Sequence, residues 1–366
     1  MSILPTSTLR AHPNCLPVGA RIGEFEVTGL VGEGGFGIVY LARDTALQRN
    51  VALKEFMPSA LAGRVNGTRV AVRSPDHQAK FDAGLKGFVK EAQLLARFNH
   101  PSLVKVYRLL EGNATAYMAM RFYAGETLAK RMSRRGVTFD EAAVEYIVAP
   151  LFSALEILHQ AQVFHRDIAP DNIMLSQEGS VLLDFGSARH IIGEGVQALT
   201  AVLKPTYSPV EQYVADGTMR QGAWTDVYAL GAVMYHLATG RPPVQAVSRL
   251  MTDSMPTIRE VKGDAFSARF SDAVAQAMAV AVENRLQSID ALRGALGWQA
   301  LAPLTAVTPA LASFEEKKLT LMKQAGVARP VPPVRQPSAA VRSWVLGAGV
   351  AVVVFGLVLV YLMRYP

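Results

Sequence analysis

The sequence has 366 residues, 50% of them hydrophobic and 18% charged. This is enough for one large or two ordinary domains, and it excludes a disulfide-stapled miniprotein or a chain disordered throughout. Basic residues outnumber acidic ones by 37 to 30, and residues 299–366 hold most of that excess, with seven Lys or Arg and two Glu. We therefore expect no nucleic-acid partner for the rest of the chain. The single Cys15 excludes an intrachain disulfide and favours a reducing compartment.

The first residues are expected to be a lead-in. Met1–Gly19 lacks the charged start and the continuous apolar core of a secretory signal. We therefore predict that residues 1–24 precede the first domain, and that the bulk of the protein stays in the compartment where it is made.

A glycine-rich loop comes next. Gly32, Gly34 and Gly37 have G-x-G-x-x-G spacing, and glycines let backbone amides approach a phosphate chain. A dinucleotide-binding fold uses the same spacing but opens a helix at the last glycine. Here the β-branched and aromatic residues of Ile38–Leu41 predict a strand instead, so the loop is predicted to be a hairpin lid over phosphates.

Charged residues recur downstream at positions that suit phosphate and metal chemistry. Lys54 ends the short apolar strand Val51–Lys54 and would need a partner, which Glu91 in an amphipathic segment could supply. Asp167 and Asn172 share one tight loop, and Asp184 follows a dozen residues on. These three offer a base candidate and two oxygen ligands suited to magnesium.

The order of these residues is that of a known family. The glycine loop, Lys54, Glu91, His165-Arg166-Asp167, Asn172 and Asp184-Phe185-Gly186 resemble the eukaryotic-like Ser/Thr protein kinases, especially their bacterial branch. The resemblance covers 25–298 and implies a bilobal α+β fold. A small β-rich N-lobe with a C helix would span about 25–120, and a larger, mainly α-helical C-lobe about 124–298.

The resemblance also implies a reaction, the transfer of the γ-phosphate of ATP to Ser or Thr hydroxyls of protein substrates with the help of Mg²⁺. Asp167 would orient the acceptor hydroxyl and take its proton, and Asn172 and Asp184 would hold magnesium. Met120 would be the gatekeeper residue, and 121–123 would be the hinge that binds adenine. The residues implied to surround ATP are Gly32, Glu33, Gly34, Gly35, Phe36, Gly37, Val39, Ala52, Lys54, Glu91, Met120, Arg121 and Tyr123, with the rest of the hinge.

One position departs from the family. Ser/Thr kinases usually carry a Lys two residues after the catalytic Asp, but Ala169 stands there. Lys204 occupies a position, counted back from Glu211, where the family often has a Thr close to the catalytic Asp. We hypothesise that the charge has migrated, so that Lys204 approaches Asp167 and the γ-phosphate and acts as a catalytic residue. The alternative is an ordinary solvent-facing lysine.

The connection from Lys54 to Glu91 is longer than usual for the family. It contains Asn66-Gly67, the signature of a two-residue hairpin, so an extra hairpin is predicted within 58–82, beside the C helix. It is either a tolerated surface insertion or a contact for a regulator. The resemblance also implies that Arg166 binds a phosphorylated residue of the activation segment, which lies between Gly186 and Pro209. Within that segment we favour Thr200 as an autophosphorylation site.

The C-terminal part is predicted to be a membrane anchor. Residues 299–342 are rich in Pro and Lys or Arg and are expected to form a tether. Residues 343–363 carry no charge and are long enough for a helix that crosses a bilayer, followed by the short tail 364–366. Basic residues are in excess on the N-terminal side of this span, and an excess of Lys and Arg marks the cytoplasmic side of a membrane helix. We therefore predict a single-pass protein of the inner membrane with its main domain in the cytoplasm. Gly347 and Ala351 point weakly to a homodimer.

Two other function classes compete with an active kinase. A pseudokinase scaffold is favoured by Ala169 but opposed by the retained lysine, aspartates and asparagine. A small-molecule phosphotransferase would share the base and metal ligands. The structural residues of the C-lobe favour a protein acceptor instead: Glu211 is expected to pair with Arg285, and Asp226 to support the catalytic loop, 165–172.

Overall fold

The structure describes residues 13–184, 204–214 and 219–299 of the chain, in a computed structural model. Antiparallel strands dominate its first third. The strands of all the described residues are β1 Arg21–Ile22, β2 Phe25–Gly34, β3 Gly37–Asp44, β4 Arg49–Phe56, β5 Ala62–Val65, β6 Arg69–Val72, β7 Val106–Gly112, β8 Thr115–Arg121, β9 Gly125–Thr127, β10 Ile173–Ser176 and β11 Gly179–Leu182.

The N-terminal lobe is a six-stranded sheet in the order β1-β2-β3-β4-β8-β7, and every neighbouring pair is antiparallel. Along β3, Ile38, Tyr40 and Ala42 alternate into the core, as the period of two in a strand requires. The pairing of β2 with β3 shifts register twice before the glycines. Such irregularities bend and twist a strand, here at the end that carries the glycine loop.

The predicted extra hairpin is confirmed as a separate two-stranded sheet of β5 and β6. Asn66 and Gly67 at its turn both have positive φ, 51° and 76°, which the preferred two-residue hairpin turn demands and which Asn and Gly tolerate best. The chain then enters helix α1, Gln78–Leu95. This helix buries Phe81, Phe88 and Glu91.

The C-terminal lobe is mainly helical. Its helices in the described part of the chain are α2 Leu128–Met132, α3 Glu141–Gln160, α4 Ala223–Thr239, α5 Ala246–Arg249, α6 Ile258–Lys262, α7 Ala268–Ala277 and α8 Ile289–Leu296. Helix α4 lies at the centre, in contact with α3, α6, α7 and α8. Side chains of Asp140, Ser267 and Ser288 cap the first turns of α3, α7 and α8, which satisfies amide groups that have no partner within a helix.

Among the described helices, α3 alone is long and apolar enough to cross a membrane by composition. It packs against α4, α8 and β11 and buries eight residues, including Leu151, Phe152 and Leu155. We therefore interpret it as a core helix of the C-lobe. The predicted span at 343–363 lies outside the described residues.

A small three-stranded sheet, in the order β11-β10-β9, supports the loop that carries Asp167 and Asn172. Strand β9 can approach β10 closely because it begins with glycine: a Cβ at Gly125 would lie 2.0 Å from the carbonyl oxygen of Leu175. Strand β11 ends at Leu182, two residues before Asp184. The sheet thus places the loop and Asp184 on the same side of the cleft.

Candidate active site

A cavity of about 510 Å³ lies between the sheet of the N-lobe and the small sheet of the C-lobe. Every residue predicted to surround ATP lines it, as do Asn172 and Asp184. The sequence did not predict part of its lining: Val31, Phe56, Phe88, Val104, Thr127, Asp171, Met174 and Leu183. Most of these are apolar, and a strand or helix residue that faces a cleft has the same pattern as one that faces a core.

Lys54 stands on β4 between β3 and β8, opposite Val39 and Met118. Its Nζ lies 2.8 Å from Oδ1 of Asp184 and 3.7 Å from Oε1 of Glu91 on α1. The side chain of Glu91 is 1% exposed and that of Lys54 15%. A buried carboxylate keeps its charge only beside a cation, so this arrangement fixes the lysine ammonium deep in the cleft, between α1 and the C-lobe.

Asp167 and Asn172 are joined by direct hydrogen bonds. The amide nitrogen of Asn172 donates to the backbone oxygen of Asp167 at 2.8 Å and to its carboxylate at 2.5 Å. The backbone oxygen of Asn172 accepts from Leu183 N at 2.9 Å, which brings Asp184 next to the loop. With its amide group used in this way, Asn172 offers its side-chain oxygen as a ligand, and Asp184 offers a carboxylate.

The described residues contain no group of three or more His, Cys, Asp or Glu that could hold a metal ion by itself. Mg²⁺ is commonly bound by one or two carboxylates together with phosphate oxygens of the substrate. Asp184 and Asn172 therefore fit a metal that arrives with a phosphate chain. They do not fit an all-protein metal cage.

The catalytic loop is held from behind by Asp226 of α4. The Asp226 carboxylate accepts hydrogen bonds from the backbone N–H groups of His165 and Arg166, each at 2.8 Å, and contacts Nε2 of His159 at 2.8 Å. Burial alone would raise the pKa of Asp226, but the hydrogen bond and charge of His159, the charge of His165 and the backbone bonds hold it below its usual value. Arg166 has φ of +64°, a strained conformation that these bonds stabilise.

Lys204 reaches the catalytic loop from the far end of the activation segment. Its Nζ lies 2.7 Å from Oδ1 of Asp171 and 3.5 Å from Oδ1 of Asp167. Asp171 was not selected from the sequence, although its position beside Asn172 was a usable signal. The predicted phosphosite Thr200 lies outside the described residues, as do Phe185 and Gly186.

The hinge residues have different surroundings. Met120 pairs with Ala52 across β8 and β4 and is 5% exposed, so the two side chains wall the inner end of the cavity. The hydroxyl of Tyr123 donates to the backbone oxygen of Leu103 at 3.3 Å. The side chain of Arg121 forms an ion pair with Glu178, and its backbone N–H donates to the oxygen of Lys105 at 2.8 Å.

Glu211 and Arg285 form an ion pair inside the C-lobe. Their closest atoms are 2.7 Å apart, and both side chains are 0% exposed. Arg285 also donates to the backbone oxygens of Ala279, Val280 and Trp224. A buried pair with its remaining donors satisfied fixes local geometry, and here it holds the end of the activation segment against the lobe.

Comparison with known proteins agrees with this geometry. The model of the protein kinase domain family matches residues 25–293. The chain is 33% identical over 286 residues to Ser/Thr-protein kinase PknB of Mycobacterium leprae, an alignment that covers 74% of this chain and 42% of PknB. It is 30% identical over 236 residues to Ser/Thr-protein kinase PrkC of Bacillus subtilis, covering 63% of this chain and 33% of PrkC.

Among solved structures, the apo form of PpkA-294 has 44% sequence identity and a TM-score of 0.72, covering 77% of this chain and 99% of that one. The chain spans less than half the length of the curated relatives, 42% of PknB and 33% of PrkC. The family match nevertheless takes in both lobes and the cleft between them. On the fold, the geometry of the cleft and this match, the chain belongs to the protein kinase family.

Proposed function

We propose that this protein is an ATP-dependent Ser/Thr protein kinase. One observation supports this most directly: Lys54, Asn172 and Asp184 line one cavity, where Lys54 contacts Asp184 at 2.8 Å and Asn172 donates to Asp167 at 2.8 Å. Phosphoryl transfer needs little covalent help from a protein, and it depends on positioning and charge neutralisation. A cation, a base and two metal ligands in one place meet that need.

The cavity fits a purine nucleotide. Its apolar walls include Ala52, Val104 and Met174, which suit a flat base, and the glycine loop closes one side. A Cβ added at Gly32 or Gly35 would meet nothing within 4 Å, so the loop leaves open space beside its backbone amides. Such amides can approach phosphate oxygens directly.

We assign one role to each polar residue of the cleft. Lys54, held by Glu91, binds phosphate oxygens, and Asp184 and Asn172 hold Mg²⁺. When bound, the metal neutralises charge that develops on the phosphate chain. Asp167 accepts the proton of the acceptor hydroxyl and orients it. This carboxylate is itself oriented by the Asn172 amide.

Transfer of label from [γ-³²P]ATP tests the proposal. Full-length protein is incubated with Mg²⁺ and dephosphorylated casein, and phosphoamino acids are analysed in the product. We expect phosphoserine or phosphothreonine, and a loss of about 10²-fold or more with Asp167→Asn. No transfer by the wild type would favour the pseudokinase, and label on a small acceptor only would favour the small-molecule phosphotransferase.

We further propose that the kinase phosphorylates itself on Thr200. Arg166, next to Asp167, supports this, because guanidinium groups bind phosphate well. Mass spectrometry of protein incubated with Mg²⁺ and ATP should find phosphate on Thr200. Full activity with residues 187–208 unmodified would refute it.

Membrane anchoring through 343–363 is also a proposal. It is supported by the uncharged length of that segment and by the basic residues before it. Wild-type protein should remain with membranes after alkaline carbonate extraction, and added protease should reach the kinase domain from the cytoplasmic side only. Val353→Arg with Leu357→Arg should release the protein, because charges at the centre of a span are costly. Gly347→Leu tests whether the span also forms a homodimer.

A further inference from the structure

The catalytic loop carries acidic side chains but no basic one between Asp167 and Asn172. Asp167 and Asp171 are both carboxylates, and Ala169 between them is 0% exposed. If ATP binds as proposed, the phosphate chain adds further negative charge beside Asp184. Developing charge on a transferred phosphoryl group has to be neutralised by groups already in position.

Lys204 supplies a cation at this point. Its ammonium lies 3.5 Å from Oδ1 of Asp167 and 2.7 Å from Oδ1 of Asp171, and its side chain is 17% exposed. A hydroxyl held within about 3 Å of Asp167 for proton transfer would come within reach of the same ammonium group. The ammonium would then lie beside the reacting atoms, which are the acceptor oxygen and the phosphorus that it attacks.

The backbone fixes Lys204 in this position. Its carbonyl oxygen accepts hydrogen bonds from the N–H groups of Tyr207 at 2.8 Å and Ser208 at 3.0 Å. The hydroxyl of Tyr207 forms a hydrogen bond with Nδ1 of His236 on α4 at 2.7 Å, and that of Tyr213 donates to the oxygen of Pro205 at 3.3 Å. The turn that presents Lys204 is therefore tied to the C-lobe core.

Stability alone does not account for this contact. The side chain of Asp171 is 57% exposed, and ion pairs with such an exposed partner contribute roughly 0–1 kcal/mol. The pair with Asp171 instead fixes the direction of the lysine toward Asp167. Its energetic value is expected where a γ-phosphate lies beside it, in the bound triphosphate and more strongly in the transition state, where further charge develops.

We propose that Lys204 is a catalytic residue that neutralises the transferred phosphoryl group, and that Asp171 positions it. This inference rests on the kinase activity proposed above. It places the neutralising cation on the activation segment and not on the catalytic loop. The cation is then in place only when the turn at 204–213 is docked on α4, so docking of this turn and phosphoryl transfer are coupled.

Nucleotide binding tests the proposal without turnover. The full-length protein is titrated with Mg²⁺ and either a non-hydrolysable β,γ-imido analogue of ATP or ADP. We expect Lys204→Met to weaken the triphosphate analogue several-fold and to leave ADP unchanged, whereas Lys54→Met should weaken both. If Lys54→Met weakens neither nucleotide, the proposed function fails. If it weakens both while Lys204→Met changes neither affinity, only the role of Lys204 fails.

Steady-state kinetics give a second reading. Lys204→Met should lower kcat by about 10²-fold, Lys204→Arg should retain much of it, and Asp171→Asn should lower it less. Lys262→Met, an exposed lysine on α6, is the matched control and should leave kcat unchanged. Wild-type kcat in Lys204→Met would overturn the proposal, as would equal losses in Lys204→Met and Lys204→Arg.

Chemical restoration of the charge separates a catalytic role from a structural one. Lys204→Cys is treated with 2-bromoethylamine, which alkylates the thiolate with loss of bromide and rebuilds a lysine-like ammonium, or with iodoacetamide, which adds a neutral group. Burial, with the charge of Glu33, raises the pKa of the native Cys15 thiol to about 11, so that thiol reacts slowly. Aminoethylation should restore kcat at least tenfold over the iodoacetamide product. Equal kcat for the two products would overturn the proposal.

Discussion

Arg64 and Glu55 form an ion pair that solvent barely reaches, with side chains 2% and 0% exposed and a closest distance of 2.5 Å. The Glu55 carboxylate also accepts hydrogen bonds from the hydroxyls of Tyr40 at 2.7 Å and Tyr117 at 2.9 Å. Arg64 belongs to the hairpin β5–β6, whereas Glu55 follows Lys54 directly on β4. The hairpin is thus joined through one buried carboxylate to the strand that carries the candidate phosphate-binding lysine.

The same pair also fixes the lead-in. The Nε of Arg64 donates to the backbone oxygen of Asn14 at 2.7 Å, and the Tyr40 hydroxyl accepts from the N–H of Leu16 at 3.0 Å. Residues 14–16 and the hairpin therefore converge on Glu55. We interpret the 58–82 insertion as a brace for the N-lobe.

Removing one member of this pair should destabilise the fold. Arg64→Met leaves the Glu55 charge buried without its cation, and the free energy of unfolding should fall by about 3 kcal/mol. Urea unfolding followed by circular dichroism measures it. The double variant Arg64→Met with Glu55→Gln should recover more than half of the loss, because the charge is gone and an acceptor for one tyrosine remains.

A surface pair provides the control for that prediction. Arg259 and Asp264 lie 3.4 Å apart with side chains 64% and 94% exposed, so Arg259→Met should change the free energy of unfolding by less than about 0.5 kcal/mol. Similar losses for Arg64→Met and Arg259→Met would contradict the structural role given to Glu55.

Glu91 is predicted to act through Lys54. The lysine lies closer to Asp184, at 2.8 Å, than to Glu91, at 3.7 Å, so loss of the Glu91 charge should remove the acidic partner on α1 and keep the one on the C-lobe side. Glu91→Gln should raise the KM for ATP by about tenfold, or about 1.4 kcal/mol, and change the melting temperature little. An unchanged KM would show that Glu91 does not position the lysine.

Two glycines of the loop form a matched pair for substitution. A Cβ at Gly37 would lie 2.5 Å from the backbone oxygen of Glu55, whereas a Cβ at Gly35 would meet nothing within 4 Å. Gly37→Ala should therefore push β3 away from β4, destabilise the fold by about 1–3 kcal/mol and weaken nucleotide binding. Gly35→Ala should change stability by less than about 0.5 kcal/mol. Thermal unfolding of both variants decides, and equal effects would refute the steric argument.

His236 should make stability depend on pH. Burial lowers the pKa of His236, so below about 6.5, the ordinary value, the unfolded chain binds the proton more readily than the folded one. The stabilisation is full above that pH and is lost as pH falls through the lowered folded pKa. His236→Gln should therefore show a smaller decrease of melting temperature between pH 7 and pH 5, by about 1–2 °C. Parallel curves for wild type and variant would contradict this.

Local sequence patterns predicted much of the fold and the site. The spacing of Gly32, Gly34 and Gly37 and the strand-forming residues after them indicated the hairpin, because turn and strand preferences act over a few residues. Asn66-Gly67 likewise predicted β5–β6, whose turn needs positive φ at both positions. Such signals are readable because each depends on the chemistry of one or two side chains.

Contacts between distant segments were not predictable in the same way. The pairing of Arg64 with Glu55 and of Lys204 with Asp171 depends on how strands and loops pack in three dimensions, and each residue alone has the composition of a surface charge. Burial distinguishes Glu55 from an exposed glutamate, and only the folded chain creates it. The resemblance to kinases suggested Lys204 near Asp167 but gave no partner for Arg64.

Asp226 follows the two backbone amides that it holds by 60 and 61 residues. At roughly 5–20 residues per second, a ribosome that has just added Arg166 needs about 3–12 s more to add Asp226. A nascent chain that already contains every phosphate-binding and metal-binding side chain would still lack the carboxylate that keeps Arg166 in its strained conformation. The loop that carries Asp167 therefore gains this support only after most of the chain has been translated.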